Sequence, residues 1–569
     1  MARKTGIGHQ DFETVRRTNN FYVDKTDFIR EWWESNDIVT LIARPRRFGK
    51  TLNMSMLEKF FSIEYAGRGD LFEGLSIWKK EEYRKLQGTY PVISVSFANV
   101  KGGTYEVARD MFAQILIDLY NSYYFLLESD ILTQQEKGYF ASINDGMTDA
   151  VASMSLKRLA ICMEHYYGKH VIILLDEYDT PMQEAYMNGY WEEMVSFIKN
   201  LFNATFKTNP CLERAVLTGI TRVSKESVFS DLNNLRVVTT TSEEYAECFG
   251  FTEQEVFDAL DEFGLSGRRQ EVKKWYDGFT FGKKTDIYNP WSVLYYLSAR
   301  KVGAYWANTS SNGLVGKLVQ EGNKNVKLEF ETLLRGGTIP VLVDEQIVFS
   351  QLLAKKDALW NFLLATGYLK VAHTESVEPD GRSHCQLALT NWEVQTMFED
   401  LVLGWFESGE NDYYNDFIKA LMLDDVDAMN EYMNRMAGAT FSYFDTGKKP
   451  SKEEPERFYH GFVLGLMVDL AGRYVLISNR ESGFGRYDVM LEPKKREDDA
   501  IIMEFKVFRP AKEKDLQETV ASALAQIEEK NYAASLLAKG IPQDKIRCYG
   551  FAFQGKTVLI GRNEEFPCK

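Results

Sequence analysis

Two kinds of apolar pattern alternate along the first ~250 residues. Short, mostly apolar runs recur at Ile38 to Ala43, Tyr90 to Phe97, Val171 to Leu175 and Arg214 to Ile220. Runs of this length, rich in β-branched residues, are what strands buried on both faces require. Between them lie stretches with helical periodicity, at Leu52 to Phe61, about Thr104 to Tyr124, and Trp191 to Phe206. Ahead of the first strand, Asp24 or Thr26 supplies a cap for a helix over FYVDKTDFIREWW. Strands alternating with helices predict an α/β domain built on a parallel sheet.

The pattern then changes. From Thr252 to about Ala299 it turns helical, with aromatic punctuation at Trp275-Tyr-Asp-Gly-Phe279 and Tyr288-Asn-Pro-Trp291, as a lid or helical subdomain requires. A helix over 358–369 runs into a strand over 368–372, a polar turn at Glu378-Pro-Asp-Gly381 and a strand over 386–389, which is compatible with a winged-helix module. Further helix is predicted over 416–436, and Gly447-Lys-Lys-Pro-Ser451 is the best linker. Beyond it come a helix (453–469), three strands (474–478, 487–491, 500–507), a helix (512–532) and a strand (547–553). The expected division is 1–250, 251–340, 341–450 and 451–569.

The chain has 569 residues, 45% of them hydrophobic, enough for several cores and hence about three to five domains. No apolar run approaches a membrane span, and the N-terminus lacks a signal peptide's apolar centre, so a cytoplasmic location without membrane association is expected. The six cysteines include no C-x-x-C pair and are expected as reduced, mostly buried thiols. A formal charge of −15 argues against indiscriminate adhesion to nucleic acid and confines any DNA binding to a local groove.

Candidate chemistry begins where the first strand ends, at Arg44-Pro-Arg-Arg-Phe-Gly-Lys-Thr51. A phosphate loop is written G-x-x-x-x-G-K-S/T, and Arg44 stands at its first glycine. Such a loop offers backbone N–H groups and a helix N-terminus to a phosphate. Arg46, Arg47 and Gly49 belong to it, Lys50 would contact the terminal phosphates, and Thr51 would ligate magnesium. The run Val171-Ile-Ile-Leu-Leu-Asp-Glu177 delivers two carboxylates at a strand's carboxyl end. Asp176 suits the metal's water shell and Glu177 the attacking water, although strand-end acids are often merely solvated. Thr218 stands where a third strand could sense the γ-phosphate or simply satisfy a neighbour. Arg222 and Arg236 are candidate arginine fingers or plain surface residues, and Asp179 suits a cap.

Together, Tyr22-Val-Asp-Lys-Thr26, the Arg44–Thr51 loop, Leu175-Asp-Glu-Tyr-Asp-Thr180 and Leu217-Thr-Gly-Ile-Thr-Arg222 resemble the predicted AAA-ATPase-like family of bacterial P-loop proteins. The loop is also similar to the G-P-R-R-x-G-K-T loop of archaeal-type ATPases, with Arg44 in place of the glycine. The resemblance spans roughly residues 5–290 and implies ATP as ligand.

A second constellation lies near the C-terminus: Asp488, then Glu504-Phe-Lys506 within the run Ala500-Ile-Ile-Met-Glu-Phe-Lys-Val507. Period-two alternation puts Glu504 and Lys506 on one strand face and Met503 and Phe505 on the other. Asp488, Glu504 and a backbone carbonyl could hold a divalent metal, with Lys506 placed to activate a water. The bland alternative is a surface Glu–Lys pair, but unpaired charges inside so apolar a strand would be costly. Gly485-Arg-Tyr-Asp488 followed by Glu504-x-Lys506 resembles the PD-(D/E)xK nuclease superfamily, with Tyr487 where the name has proline. That resemblance implies a restriction-endonuclease-like fold, magnesium or manganese, a DNA substrate, and Asp488, Glu504 and Lys506 as the catalytic trio. Gln526 followed by Tyr532 is similar to the Q-x-x-x-Y element of RecB-like nucleases at a wider spacing, and His460 or Glu456 would be the first-helix ligand. The expected whole is a multidomain α/β chain: a P-loop NTPase, a helical and winged-helix-like middle, and a nuclease-like domain, as monomer or homo-oligomer. Two other functions fit the same residues: a nucleotide-dependent switch that binds DNA without cutting it, and a regulatory NTPase that binds a protein partner.

Overall fold

The computed structural model describes residues 3–222, 228–229, 232–306, 315–316, 318–319, 324–334, 336–344, 352, 357–377, 382–407, 413–440, 470, 473–478, 481–482, 485–486, 489–495, 497–510 and 512–562. Two compact units divide the chain: Met1–Leu318 with Gly336–Gln395, and Val319–Arg335 with Thr396–Lys569.

The first unit carries the predicted parallel sheet. Its strands are β1 (Val39–Ala43), β2 (Val92–Ser96), β3 (Val171–Asp176), β4 (Leu212–Gly219) and β5 (Leu235–Val238). They lie in the order β2-β3-β4-β1-β5, all pairs parallel, so β4 is inserted between β1 and β3. Every residue of β1 and β3 is buried, which is why both read as near-continuous apolar runs. Helix α1 (Lys50–Phe61) starts directly after the loop that follows β1. Its N-cap, Gly49, has φ +82, a conformation that side chains beyond glycine rarely adopt.

The segment expected to be helical over 252–299 is only partly so. Helices at Glu253–Glu262 and Arg269–Tyr276 are followed by an antiparallel hairpin, β6 (Phe279–Phe281) and β7 (Lys284–Tyr288), and then by α2 (Pro290–Ala299). Phe279-Thr-Phe281 alternates with period two, and Gly282 at φ +56 makes the turn, so local pattern favours a hairpin there. Further on, β8 (Ile339–Val343), α3 (Ala358–Ala365), β9 (Leu369–Val377) and β10 (Ser383–Leu389) give a helix plus an antiparallel sheet of order β9-β10-β8. This matches the expected helix and hairpin. Yet α3 buries six consecutive residues, Leu359 to Leu364, and so offers no polar face for reading a DNA groove.

The second unit is a mixed sheet of β11 (Tyr474–Ser478), β12 (Val489–Pro493), β13 (Ala500–Val507), β14 (Ile546–Gln554) and β15 (Thr557–Arg562), in that order. Only β13 and β14 are parallel, joined by the crossover helix α6 (Leu516–Glu529), numbered after α4 (Tyr413–Leu423) and α5 (Val426–Thr440). The helix expected over 416–436 is these two, α4 and α5, broken at Asp424, whose φ is +62. They cover one sheet face, packing on Ile501, Met503 and Phe505, so this compact unit starts well ahead of residue 451. Alternate residues, Ile502 among them, pack on the α6 side. The helix expected over 453–469, with Glu456 and His460, lies outside the described residues, as does Asp488. Among the cysteines, Cys162, Cys211, Cys248 and Cys385 are free and buried. Cys548 is disulfide-bonded, contrary to the expectation of reduced thiols throughout.

Candidate functional site

The first constellation assembles where β1, β3 and β4 end side by side. Thr51 Oγ1 donates to Asp176 Oδ2 at 2.7 Å. Thr218, on the inserted strand, donates its hydroxyl to the other oxygen of Asp176 and accepts the Glu177 N–H at 3.4 Å. Thr218 is therefore engaged in orienting the two acids. Lys50 is buried and donates to the carbonyls of Arg44 and Pro45, both at 2.8 Å. Burial lowers the pKa of this ammonium, and Glu177, Asp176 and Asp179 pull it back up. Burial also raises the Asp176 pKa, against the lowering effect of the Thr218 and Thr51 hydroxyls. A buried cation held by carbonyl dipoles beside a carboxylate–threonine pair is a donor set that suits a polyphosphate and magnesium.

Glu177 has φ +52, a left-handed backbone unusual for its type, and its carboxylate accepts from Thr180 Oγ1 at 3.0 Å. Asp179 is buried and has a structural task. Its Oδ2 accepts from Ile220 N, Thr221 N and Thr221 Oγ1 at 3.0, 2.9 and 2.9 Å, fixing the loop after β4.

Arg44 does not intrude on the cradle. Its buried side chain donates to the Thr239 and Glu244 carbonyls and lies over the Phe281 ring at 4.3 Å. Arg46 and Arg47 both line the cleft that holds Lys50, Thr51 and Glu177. Arg46 donates to Gln183 Oε1 at 3.3 Å, and Arg47, at φ +65, stacks on Trp291 at 4.2 Å. Arg236 pairs with Glu244, and Arg222 lines a different cavity, so the structure brings neither to the carboxylates.

The second constellation forms in the other unit. Glu504 is buried on β13, and Gln526 of α6 donates to its Oε1. The same Gln526 amide donates to Tyr532 Oη at 3.1 Å. Lys506, two residues along the same face, donates to Ser522 Oγ of α6 at 3.0 Å. The wide Gln526–Tyr532 spacing has a physical reason. Past Lys530, Asn531 adopts φ +52, its N–H bonds to the Glu528 carbonyl, and the Tyr532 N–H bonds to the Ile527 carbonyl at 3.2 Å. This is a Schellman end, which turns the chain back and returns Tyr532 to the glutamine. A buried carboxylate with an amide, a phenol and an ammonium around it fits one side of a divalent-metal site.

Comparison with known proteins follows the same division. Residues 6–229 match the family described as predicted AAA-ATPase, and residues 454–563 match the PD-(D/E)XK nuclease superfamily. The chain pairs an AAA-ATPase-like region with a PD-(D/E)XK-superfamily region. It is also 29% identical over 322 residues to an uncharacterized protein encoded in the vnfD 5′ region of Azotobacter chroococcum mcd 1. That match covers 56% of each chain, so this protein spans about half the length of the curated relative it matches.

Within the AAA-ATPase-like unit, several supporting residues escaped sequence reasoning. Asn289 Nδ2 and Trp306 Nε1 both donate to the Arg46 carbonyl, at 3.3 and 3.0 Å. Asn289 also caps α2 through Trp291 N and Ser292 N, so one side chain fastens this helix to the phosphate loop. The Asn-Pro pair at 289–290, a cap followed by a first-turn proline, was the available signal. Glu253, Asp277 and Asp286 cluster closely enough to hold a cation, but Lys273 already bridges all three as an ion-pair network. Among the described residues, no helix is long and apolar enough to cross a membrane.

Proposed function

We propose that the chain binds and hydrolyses ATP in its AAA-ATPase-like unit and cleaves DNA phosphodiester bonds in its PD-(D/E)XK-superfamily unit, with nucleotide state controlling cleavage. The observation that carries the nucleotide half is the convergence of Thr51 and Thr218 on Asp176 beside the buried Lys50. Thr51 and Asp176 would hold a magnesium ion, which when bound would neutralise charge at the phosphates. Lys50 exchanges its two carbonyl partners for phosphate oxygens, and Gly49 and the start of α1 present N–H groups to them. Glu177 accepts the proton of, or orients, the attacking water, and Thr180 holds that carboxylate in place.

In the second unit Glu504 and, from its sequence position, Asp488 are the proposed ligands of a divalent metal. A metal held there would supply electrostatic stabilisation at the scissile phosphate. Lys506 orients the water, and Gln526 fixes the Glu504 carboxylate and with it the geometry at the strand end. From their sequence positions, His460 or Glu456 is the proposed further ligand.

The test combines both halves. Purified chain is incubated with linear, circular and branched DNA, with and without ATP, and with magnesium or manganese. Lys50→Ala should abolish ATP hydrolysis, and Asp488→Ala or Lys506→Ala should abolish metal-dependent cleavage. Undiminished cleavage by the Asp488 variant would sink the nuclease assignment. Salt-dependent DNA binding without metal-dependent nicking would turn the protein into a nucleotide-dependent switch.

A further inference from the structure

Helix α6 sits close to the sheet of the second unit, and two glycines make the room. Gly550 of β14 and Gly561 of β15 pair across those strands, and both face the helix. A β-carbon at Gly550 would stand 2.8 Å from the Val520 carbonyl oxygen, and one at Gly561 would stand 2.6 Å from the Val520 side chain. Close seating lets short side chains of α6 reach β13, where Glu504 is in register with Gly550. Polar residues of the helix then meet the strand and the loop after it in a row. Thr519, Ser522 and Gln526 recur at i, i+3 and i+7, which is one helix face. Gln526 donates to Glu504, Ser522 Oγ accepts from Lys506 at 3.0 Å, and Thr519 donates to Glu513 Oε2 at 2.8 Å.

We infer that Ser522 is a positioning residue of the proposed cleaving site: its hydroxyl oxygen is the acceptor that sets where the Lys506 ammonium stands. The inference rests on the nuclease reading and deepens it.

The backbone under Lys506 is already fixed. Met503 and Phe505 are buried on the opposite face of β13, the strand pairs with β14 as far as Val507, and Phe508 N bonds to the Phe553 carbonyl at 2.9 Å. Glu513 Oε2 accepts from Arg509 N at 2.9 Å as well as from Thr519, which ties the connecting loop to the first turns of α6. What remains free is the lysine's four-carbon stem, a flexible tether with a compact charge at its end. One acceptor at a fixed place selects among its rotamers, as supporting groups do when they hold a reacting side chain ready. Gln526, one turn along, does the same for the carboxylate. Two helix residues four apart thus divide the work, Gln526 orienting Glu504 and Ser522 orienting Lys506.

Two measurements on the full chain test this. In metal-dependent DNA cleavage, Ser522→Ala should lower kcat roughly tenfold, the scale of one hydrogen bond to a charged group. KM for DNA and the half-saturating magnesium concentration should stay within about twofold of wild type. Ser522→Thr keeps a hydroxyl and should restore the rate. In metal-free protein, trace labelling with acetic anhydride, read by mass spectrometry against the other lysines, should mark Lys506 about threefold more in Ser522→Ala, and Ser522→Thr should reverse this. Alanine is the better helix former, so a weakened helix does not account for either change. Wild-type kcat or wild-type Lys506 labelling in Ser522→Ala overturns the positioning role, and with Lys506→Ala inactive it leaves the nuclease reading standing. A defect that threonine does not restore, or one that appears in DNA or magnesium affinity, also overturns it, because Ser522 would then act through the fold or the ligands. A wild type that cuts no DNA with magnesium or manganese overturns the reading and the inference together.

Discussion

Arg44 replaces a glycine without occupying its space. A β-carbon at this position needs room, and the structure supplies it by sending the whole side chain to the Thr239 and Glu244 carbonyls, under the Phe281 ring. The loop carbonyls of Arg44 and Pro45 are then free to hold Lys50. The residues that touch phosphate and metal in the proposal were legible because they are contiguous: Gly49-Lys50-Thr51 and Asp176-Glu177 each follow an apolar run. Thr180, Asn289 and Trp306 were not, because their partners are distant in sequence or depend on the loop's path. Glu177→Gln should retain ATP binding and lose hydrolysis by about two to four orders of magnitude, measured as phosphate release. Asp277 gives a prediction in pH. Burial, with Asp286 second, raises its pKa from the usual 3.8 to about 6. An acid raised in the fold contributes stability that is full below its unfolded pKa and is lost as pH rises through the folded one. Between about pH 4 and 6 this residue therefore weakens the fold progressively, and Asp277→Asn should raise Tm at pH 7.5 while changing it little at pH 4.

At the scale of elements, two helix features carry the second unit. The Schellman end of α6 needs a left-handed residue at 531, and it sets where Tyr532 lands. Asn531→Gly should be tolerated, whereas Asn531→Val should cost about 1 to 2 kcal/mol and loosen the Tyr532–Gln526–Glu504 chain. Thermal unfolding and metal-dependent cleavage would report the two effects. The edge strand β15 is sealed by α5: Asn430 exchanges two bonds with the Ile560 backbone (2.8 and 2.7 Å), and Asn434 two with Val558 (2.6 and 2.8 Å). Edge strands left open invite pairing with another chain. Replacing both asparagines by alanine should cost about 1 to 3 kcal/mol at each site and promote association, visible by light scattering. Pattern alone placed the buried strands well, since burial on both faces leaves a near-continuous apolar run. It missed β5, β8, β15 and the β6–β7 hairpin, strands of three to six residues whose alternation is too brief to stand out from the sequence around them. It also ran α4 and α5 together, because the Asp424 break adds no glycine or proline to mark it.

For the molecule as a whole, the two constellations lie in separate compact units, and each unit contains one of the two family matches. The inserted strand β4 explains the first: it brings Thr218 between the loop strand and the carboxylate strand. The parallel β13–α6–β14 crossover explains the second, setting Gln526 and Ser522 over Glu504 and Lys506. Coupling between them is the central claim, and it is a claim about rates. The most direct measurement is the initial rate of magnesium-dependent DNA cleavage with and without ATP, for wild type and Lys50→Ala, with Glu504→Gln as the control for the cleaving site. A several-fold change with ATP in wild type, none in Lys50→Ala, and no cleavage by Glu504→Gln is the expected result. Cleavage by wild type at one rate regardless of ATP would contradict nucleotide control, and full activity in Glu504→Gln would contradict the site itself.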